Sequence, residues 1–316
     1  MIDDLAIAFV QLLLVLLVAP ALTGLVRKVK ARLVRRRGPS IVQPYRDLLR
    51  LLRKEAVVAE NASWLFRTAP YLIFATTWVA MSLVPTFATG LAFSKSADLI
   101  AIVALLGSAR FFLALVGLDV GTSFGGIGSS REVMVASLAE PALIVVAFTV
   151  ALIAGSTQLS VIAAAFSAGQ VGLRVSLALV AAALVIVALA ENSRIPVDNP
   201  ATHLELTMIH EAMVLEYSGR HLAVIEAAAM LKLLLYVSVI AAMFLPWGIA
   251  RPGSAPTDLL VGIGSYVVKL VGAAVLLAVF ETTIAKMRVF RVPEYLGFSL
   301  MLALIAMLLM FVTKSL

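Results

Sequence analysis

Six ionisable side chains of this chain stand where lipid would exclude them. Glu140, Lys232 and Lys269 lie inside long apolar runs, and Glu191, Glu226 and Glu281 lie at or near the edges of such runs. A charge near the centre of a bilayer costs at least about 2.5 kcal/mol, so such residues are rare and face a bundle interior or a wet cavity. Burial brings a carboxyl toward the range in which protons exchange at neutral pH. A series of such groups, bridged by water, makes a proton route. The lysines can pair with the carboxylates, or be desolvated in their turn. The plainer reading is that lysines snorkel to the surface and edge carboxylates cap helices. Spread over four segments, these groups favour ion or proton handling, and the sequence leaves their pairings open.

Other chemistry is poorly supplied. His203, Glu205, His210 and Glu211 follow an HxExxxxHE spacing, which does not set two histidines one helical turn apart as a zinc-binding HExxH does. No third ligand is evident, so no metal is expected. Asn199-Pro200-Ala201 occurs once, in a polar loop, and is not read as a water-channel signature. Gly125-Gly126-Ile127-Gly128-Ser129-Ser130 lacks the surrounding βαβ pattern and the lysine of a phosphate-binding loop, and is expected to form a tight turn. No nucleophile–base pair of hydrolase type is recognisable.

The elements that position these residues are membrane helices. The chain is 62% hydrophobic and only 14% charged, outside the range of soluble domains. It has no cysteine, which excludes disulfides, Cys-ligated iron–sulfur clusters and thiolate zinc sites in this chain. A span needs about 20 apolar residues. Eight stretches qualify: Ile2–Val26, Pro70–Phe93, Ala97–Leu118, Glu132–Gly155, Arg174–Glu191, Leu222–Trp247, Asp258–Phe280 and Glu294–Val312. The first carries Asp3 and Asp4 in its leading region rather than basic residues, and reads as a retained span rather than a signal peptide. The expected fold is an all-α integral membrane protein in a single domain, residues 1–316, with no internal repeat.

The net charge of +7 is concentrated between Arg27 and Lys54, between two apolar segments, which argues for a cytoplasmic membrane loop rather than a nucleic-acid partner. With the N-terminus outside, that block falls inside together with Arg67, Arg131, Arg194, Arg220, Lys286, Arg288 and Arg291, while only Lys95, Arg174, Arg251 and Lys314 fall outside. Both termini are therefore expected outside, with cytoplasmic loops near 27–69, 119–131, 192–221 and 281–293. In the first loop, Tyr45, Leu48, Leu49 and Leu52 repeat at helical spacing opposite Arg46, Asp47, Arg50, Arg53 and Lys54, the pattern of an amphipathic surface helix or a docking surface. In the long third loop, Pro196 and Pro200 break any helix. A helical pattern then runs from Ala201 to Tyr217, with Leu206, Ile209, Met213 and Tyr217 on one stripe. A continuous helix would set Glu205 and Glu216, about three turns apart, on one side. Gly219 is the expected stop.

Four stretches resemble a known family: RRRGPSIVQPYRDLLRLLRKE (Arg35–Glu55), SWLFRTAPY (Ser63–Tyr71), GLDVGTSFGGIGSSRE (Gly117–Glu132) and the loop from Arg194 to Gly219 with its RIPVDNP and EYSG ends. Their order and their places between spans resemble the eight-helix membrane subunit shared by respiratory complex I and the energy-converting [NiFe] hydrogenases. The first motif passes directly from Gly38-Pro39 to Gln43-Pro44-Tyr45-Arg46-Asp47, a shortened form similar to the formate hydrogenlyase and hydrogenase-4 branch. In the third loop Glu205 takes the place of a family carboxylate, and His203 stands where an acidic residue is common.

The resemblance implies a non-catalytic subunit of an oxidoreductase complex in a bacterial or archaeal cytoplasmic membrane. Its partners would be hydrogenase-like large and small subunits, an iron–sulfur subunit and antiporter-like membrane subunits. The [NiFe] centre and the clusters would belong to those partners, with no cofactor in this chain. The acidic path of the family falls on Glu140, Glu191, Glu205, Glu211, Glu216 and Glu226, to which the charge pattern adds Lys232, Lys269 and Glu281. The loops facing the arm carry Arg36, Arg37, Gln43, Arg46, Asp47, Arg131, Arg194 and Asp198. Two rivals stay open: the quinone-chamber subunit of an NADH:quinone oxidoreductase, and a free-standing ion-coupled transporter, which often shows an internal repeat.

Overall fold

The computed structural model describes residues 2–90, 97–168, 175–198, 208–251 and 253–315. Its described residues form eleven α-helices joined by short connections: α1 (Ile2–Leu33), α2 (Gln43–Leu52), α3 (Trp64–Ser82), α4 (Leu99–Asp119), α5 (Ser123–Ala154), α6 (Leu159–Ser167), α7 (Val175–Glu191), α8 (His210–Val214), α9 (Gly219–Phe244), α10 (Pro256–Thr283) and α11 (Val292–Ser315). Strand pairing among these residues is limited to two isolated bridges, Ala88 with Ala250 and Asp98 with Gln158. Six helical stretches are long and apolar enough to cross a membrane: Ile7–Leu33, Leu99–Asp119, Ser123–Ala154, Gly219–Phe244, Pro256–Thr283 and Val289–Val312. The chain is a multi-pass membrane protein. Of the other expected spans, α7 has 17 residues, about 25 Å of helix against a hydrocarbon core of about 30 Å, and α3 has 19.

α9 is the hub. Sixteen of its residues are buried, and it packs against α1, α3, α6 and α7. α3 lies on α4, α5 on α4 and α7, α11 on α7 and α5, and α1 on α10. Because lipid is as apolar as leucine, small residues and hydrogen bonds hold such helices together. Ser129 Oγ donates to Ala114 O at 2.8 Å, Ser299 Oγ to Ala183 O at 2.9 Å, and Ser238 Oγ and Tyr266 Oη meet at 2.7 Å. By contrast α10 turns a wholly apolar flank outward, with Leu260, Val268 and Leu276 exposed.

Several local expectations are corrected by the structure. The GGIGSS stretch is not a turn. α5 begins at Ser123, capped by the Thr122 hydroxyl on Gly125 N at 3.3 Å, so the glycines lie on a helix. They are there for close approach: a Cβ on Gly125 would sit 2.1 Å from Gly117 O, and one on Gly128 would sit 3.0 Å from Ile209 O. The expected loop 119–131 thus shrinks to the turn before Thr122, and α5 starts a span well before Glu132. Gly219 starts α9 rather than stopping a helix. Its φ is +52°, and the space for a Cβ is filled by Glu55 O at 2.3 Å. The helix expected over Ala201–Tyr217 is described only as the five residues of α8; Leu206 lies outside the described residues, while Ile209, Met213 and Tyr217 are buried as the stripe required. α6 was not anticipated.

The helix at the second expected span, α3, starts at Trp64, not Pro70, and runs to Ser82 with Pro70 inside it. Proline removes the amide that would bond the carbonyl four residues earlier, that of Phe66. Tyr217 replaces it: its hydroxyl donates to Phe66 O at 3.0 Å while its ring stacks on the Phe66 ring, with centroids 3.9 Å apart. Burial, with the nearby Asp119 carboxylate, raises the Tyr217 pKa above the usual phenol value, so the hydroxyl stays a donor. This contact ties the third loop to the base of α3.

Candidate functional site

One arginine organises the polar interior. Arg110 sits in the second half of α4, a helix otherwise apolar over most of its length, and is 4% exposed. Its Nε lies 3.0 Å from Glu132 Oε1 on α5, and its Nη1 lies 3.7 Å from Glu140 Oε1, two helical turns further along α5. Its Nη2 closes on Glu191 Oε1 at the end of α7. The other Glu191 oxygen takes Lys232 Nζ of α9 at 2.9 Å. Four helices therefore bring two cations and three carboxylates together. With every group ionised the cluster carries one net negative charge, and a single proton neutralises it. Arg110 and Lys232 balance the buried Glu132 and Glu191, and the excess negative charge falls on Glu140.

Glu140 is the exposed member. Its side chain is 43% accessible on the α4–α5 flank, beside Gly107, whose missing side chain leaves the carboxyl room. Glu132 and Glu191 are buried.

A cavity of about 80 Å³ is lined by Arg110, Glu132, Glu191 and Lys232, together with Thr77, Asn192, Ser193 and His210. That volume holds a few waters among ample polar partners. A second cavity of about 520 Å³ adjoins it and shares Asn192, Ser193, His210 and Ala229. It reaches the surface at the basic end of the bundle, where Val34, Arg36 and Pro39 are exposed. Among the described residues that line it, eight are charged: Arg27, Lys30, Arg36, Arg194, Asp198, Glu211, Glu226 and Glu281. In its wall the buried Glu281 of α10 is held by Lys30 Nζ of α1 at 2.9 Å and by Arg194 Nη1 at 3.3 Å. Burial lowers the Arg194 pKa; Glu281 opposes that shift and Arg27 adds to it. Asp198, 2% exposed, takes Lys286 Nζ at 3.3 Å and accepts from Ile209 N and His210 N at 3.3 and 3.4 Å, which anchors the start of α8.

Of the residues singled out in the sequence, the structure thus gathers Glu140, Glu191 and Lys232 in the inner cluster, and Glu211, Glu226, Glu281, Arg36, Arg194 and Asp198 in the outer cavity. Glu216 is exposed after α8, and Glu205 lies outside the described residues. Lys269 is placed otherwise: its ammonium donates to Trp247 O at 2.6 Å and sits 4.7 Å from the centre of the Trp247 ring. On the basic side, Arg37 and Arg46 are exposed, Gln43 donates to Asp47 at 3.0 Å, and Arg131 Nη1 donates to Met208 O at 2.8 Å. Arg110 and Glu132 were missed as site residues. Arg110 interrupts an apolar run as plainly as Lys232 does, and the same rule applied to it would have found it.

A family model described as NADH dehydrogenase matches residues 5–313. The chain is 33% identical to formate hydrogenlyase subunit 4 of Escherichia coli K12 over 285 residues, covering 90% of this chain and 92% of that protein. It is 35% identical to hydrogenase-4 component C of the same organism over 296 residues, covering 93% and 92%. Among solved structures, it superposes on a chain of the membrane-bound sulfane sulfur reductase, an archaeal respiratory membrane complex, with a TM-score of 0.83 at 18% identity, over 97% of this chain and 99% of that one.

Proposed function

The chain belongs to the family described as NADH dehydrogenase, and is a membrane subunit of a complex I-like assembly; from this we propose that it is the membrane anchor and proton-coupling subunit of a membrane-bound [NiFe] hydrogenase of the formate hydrogenlyase or hydrogenase-4 type. The observation that carries the reading is the Arg110 cluster, which is one proton short of neutrality and adjoins a charged cavity open at the basic end. The high coverage of the two Escherichia coli relatives supports the hydrogenase branch.

In this reading the basic end is cytoplasmic and both termini are outside, in a bacterial or archaeal cytoplasmic membrane. α3 and α7 cross with the six longer segments, which makes eight spans. α2 lies along the membrane surface with Leu49 and Leu52 outward, next to where the peripheral arm docks. That arm brings the large and small hydrogenase-like subunits and the iron–sulfur subunit, so this chain carries no cofactor itself. Electron arrival in the arm draws a proton through the outer cavity to the Arg110 cluster. Glu140 passes it on to an antiporter-like membrane subunit lying against the α4–α5 flank. A half-exposed carboxyl in the middle of a span needs such a neighbour, because lipid would not solvate it.

The test is Glu140→Gln in the complete complex reconstituted in liposomes. The variant keeps shape and hydrogen bonding and removes the titratable group. Proton translocation per turnover should fall to background while the complex assembles. Wild-type translocation would overturn the assignment.

A further inference from the structure

The route from the outer cavity to the Arg110 cluster has a neck. Among the described residues, four line both cavities: Asn192, Ser193, His210 and Ala229. Asn192 and Ser193 form the turn that ends α7. The Asn192 amide is bound to Ala188 O at 2.7 Å, and Ser193 adopts φ +49° with its N–H on Ala190 O at 3.0 Å. Both are fixed, and neither they nor Ala229 can take up a proton. Among the described residues of the neck, His210 is the one that can.

The backbone of His210 is held where it stands. Its N–H lies 3.4 Å from Asp198 Oδ2 at the start of α8, and α8 packs against α5 and α4. Its ring takes no hydrogen bond among the described residues. On the inner side the neighbouring charges are Arg110 of α4, Glu132 of α5, Glu191 of α7 and Lys232 of α9. Those lining the outer cavity are Glu226 of α9, Glu281 of α10, Lys30 and Arg27 of α1, the loop residues Arg36, Arg194 and Asp198, and Glu211 on its own helix.

We infer that His210 is the proton carrier at this neck, taking a proton from water in the outer cavity and giving it to the inner cluster. This inference rests on the proton-coupling reading. The step is a proton transfer only: one imidazole nitrogen is protonated from the outer water, and a proton leaves to the inner water and then to a cluster carboxylate, with no change of oxidation state. A positioned group of this kind accelerates proton transfer by about 10²–10⁴-fold.

The experiment uses the complete complex in liposomes, with translocation normalised to dye-linked turnover of the same sample, for wild type, His210→Ala, His210→Gln and Glu191→Gln. Both His210 variants should lose about a hundredfold in coupled proton transfer, the low side of that range. The pH dependence of coupled transfer should flatten. Imidazole added to the buffer should restore a large part of the rate in His210→Ala and leave wild type unchanged, because the outer cavity has room for it. A purely structural role would give no such rescue. Translocation and a pH profile like wild type in either His210 variant would overturn the inference. So would a full recovery with glutamine at this position, or a loss in His210→Ala that imidazole does not relieve. Should Glu191→Gln lose coupling while the His210 variants keep it, the carrier assignment fails alone; should Glu191→Gln keep it too, the proton-coupling reading fails with it.

Discussion

The contact between Tyr217 and Phe66 makes a sharp prediction about how the third loop is fixed. Tyr217→Phe keeps the ring stacked on Phe66 and deletes only the hydroxyl that serves the carbonyl left open by Pro70. Both partners are buried. Orphaning a buried acceptor costs about 1–3 kcal/mol, while interhelical hydrogen bonds in membranes average about 0.6 and reach about 1.7 kcal/mol. The expected loss is therefore about 1–2 kcal/mol. Pro70→Ala in the Tyr217→Phe background supplies an amide in reach of the Phe66 carbonyl, and should recover at least half of that loss. In the wild-type background the hydroxyl already occupies the carbonyl, so Pro70→Ala should gain little. A double-mutant cycle of unfolding free energies in detergent micelles measures the coupling. A Tyr217→Phe change below about 0.3 kcal/mol, or strictly additive effects at the two positions, would refute the argument that the tyrosine replaces the missing proline amide.

Three further outcomes follow from the packing and charges. Gly125→Ala, whose new Cβ would sit 2.1 Å from Gly117 O, should abolish accumulation of the folded chain, whereas Gly126→Ala, with nothing within 4 Å, should accumulate like wild type on immunoblots of membranes. Arg110→Met leaves buried carboxylates uncompensated and should cost about 3–5 kcal/mol, part of it recovered on adding Glu191→Gln; equal stability of Arg110→Met and wild type would contradict the pairing. Reporter fusions after Val58 and after Phe93 should report the cytoplasm and the outside respectively, and the reverse would sink the orientation.

The sequence disclosed the interior charges better than the pairings. Glu140, Glu191 and Lys232 stood out because lipid has no place for them, and no tertiary information was needed. Arg110, which pairs with Glu140 and Glu191, interrupts an apolar run in the same way as Lys232. Glu132 did not stand out. The glycines before it were read by their turn propensity, but Gly125 and Gly128 answer to the approach of α4 and of the loop before α8. That is a tertiary demand with no local signature. Lys269 shows the limit of counting buried charges, since a carbonyl and an indole satisfy it. Pro70 looked like a helix start because its lost hydrogen bond is made good by a residue far along the chain. The two cavities and their neck arise from the packing of α1, α7, α8 and α9, which no spacing rule contains.

The central claim is that the Arg110 cluster carries one exchangeable proton because three carboxylates face two cations. Glu191→Gln removes one negative charge and leaves the cluster balanced without a proton, at nearly unchanged shape. The direct measurement is proton translocation per electron in liposomes bearing the complete complex, wild type against Glu191→Gln, with dye-linked hydrogenase turnover as the measure of assembly. The account predicts that the ratio falls to background in the variant while dye-linked turnover persists. A ratio equal to wild type in the fully assembled variant would contradict it.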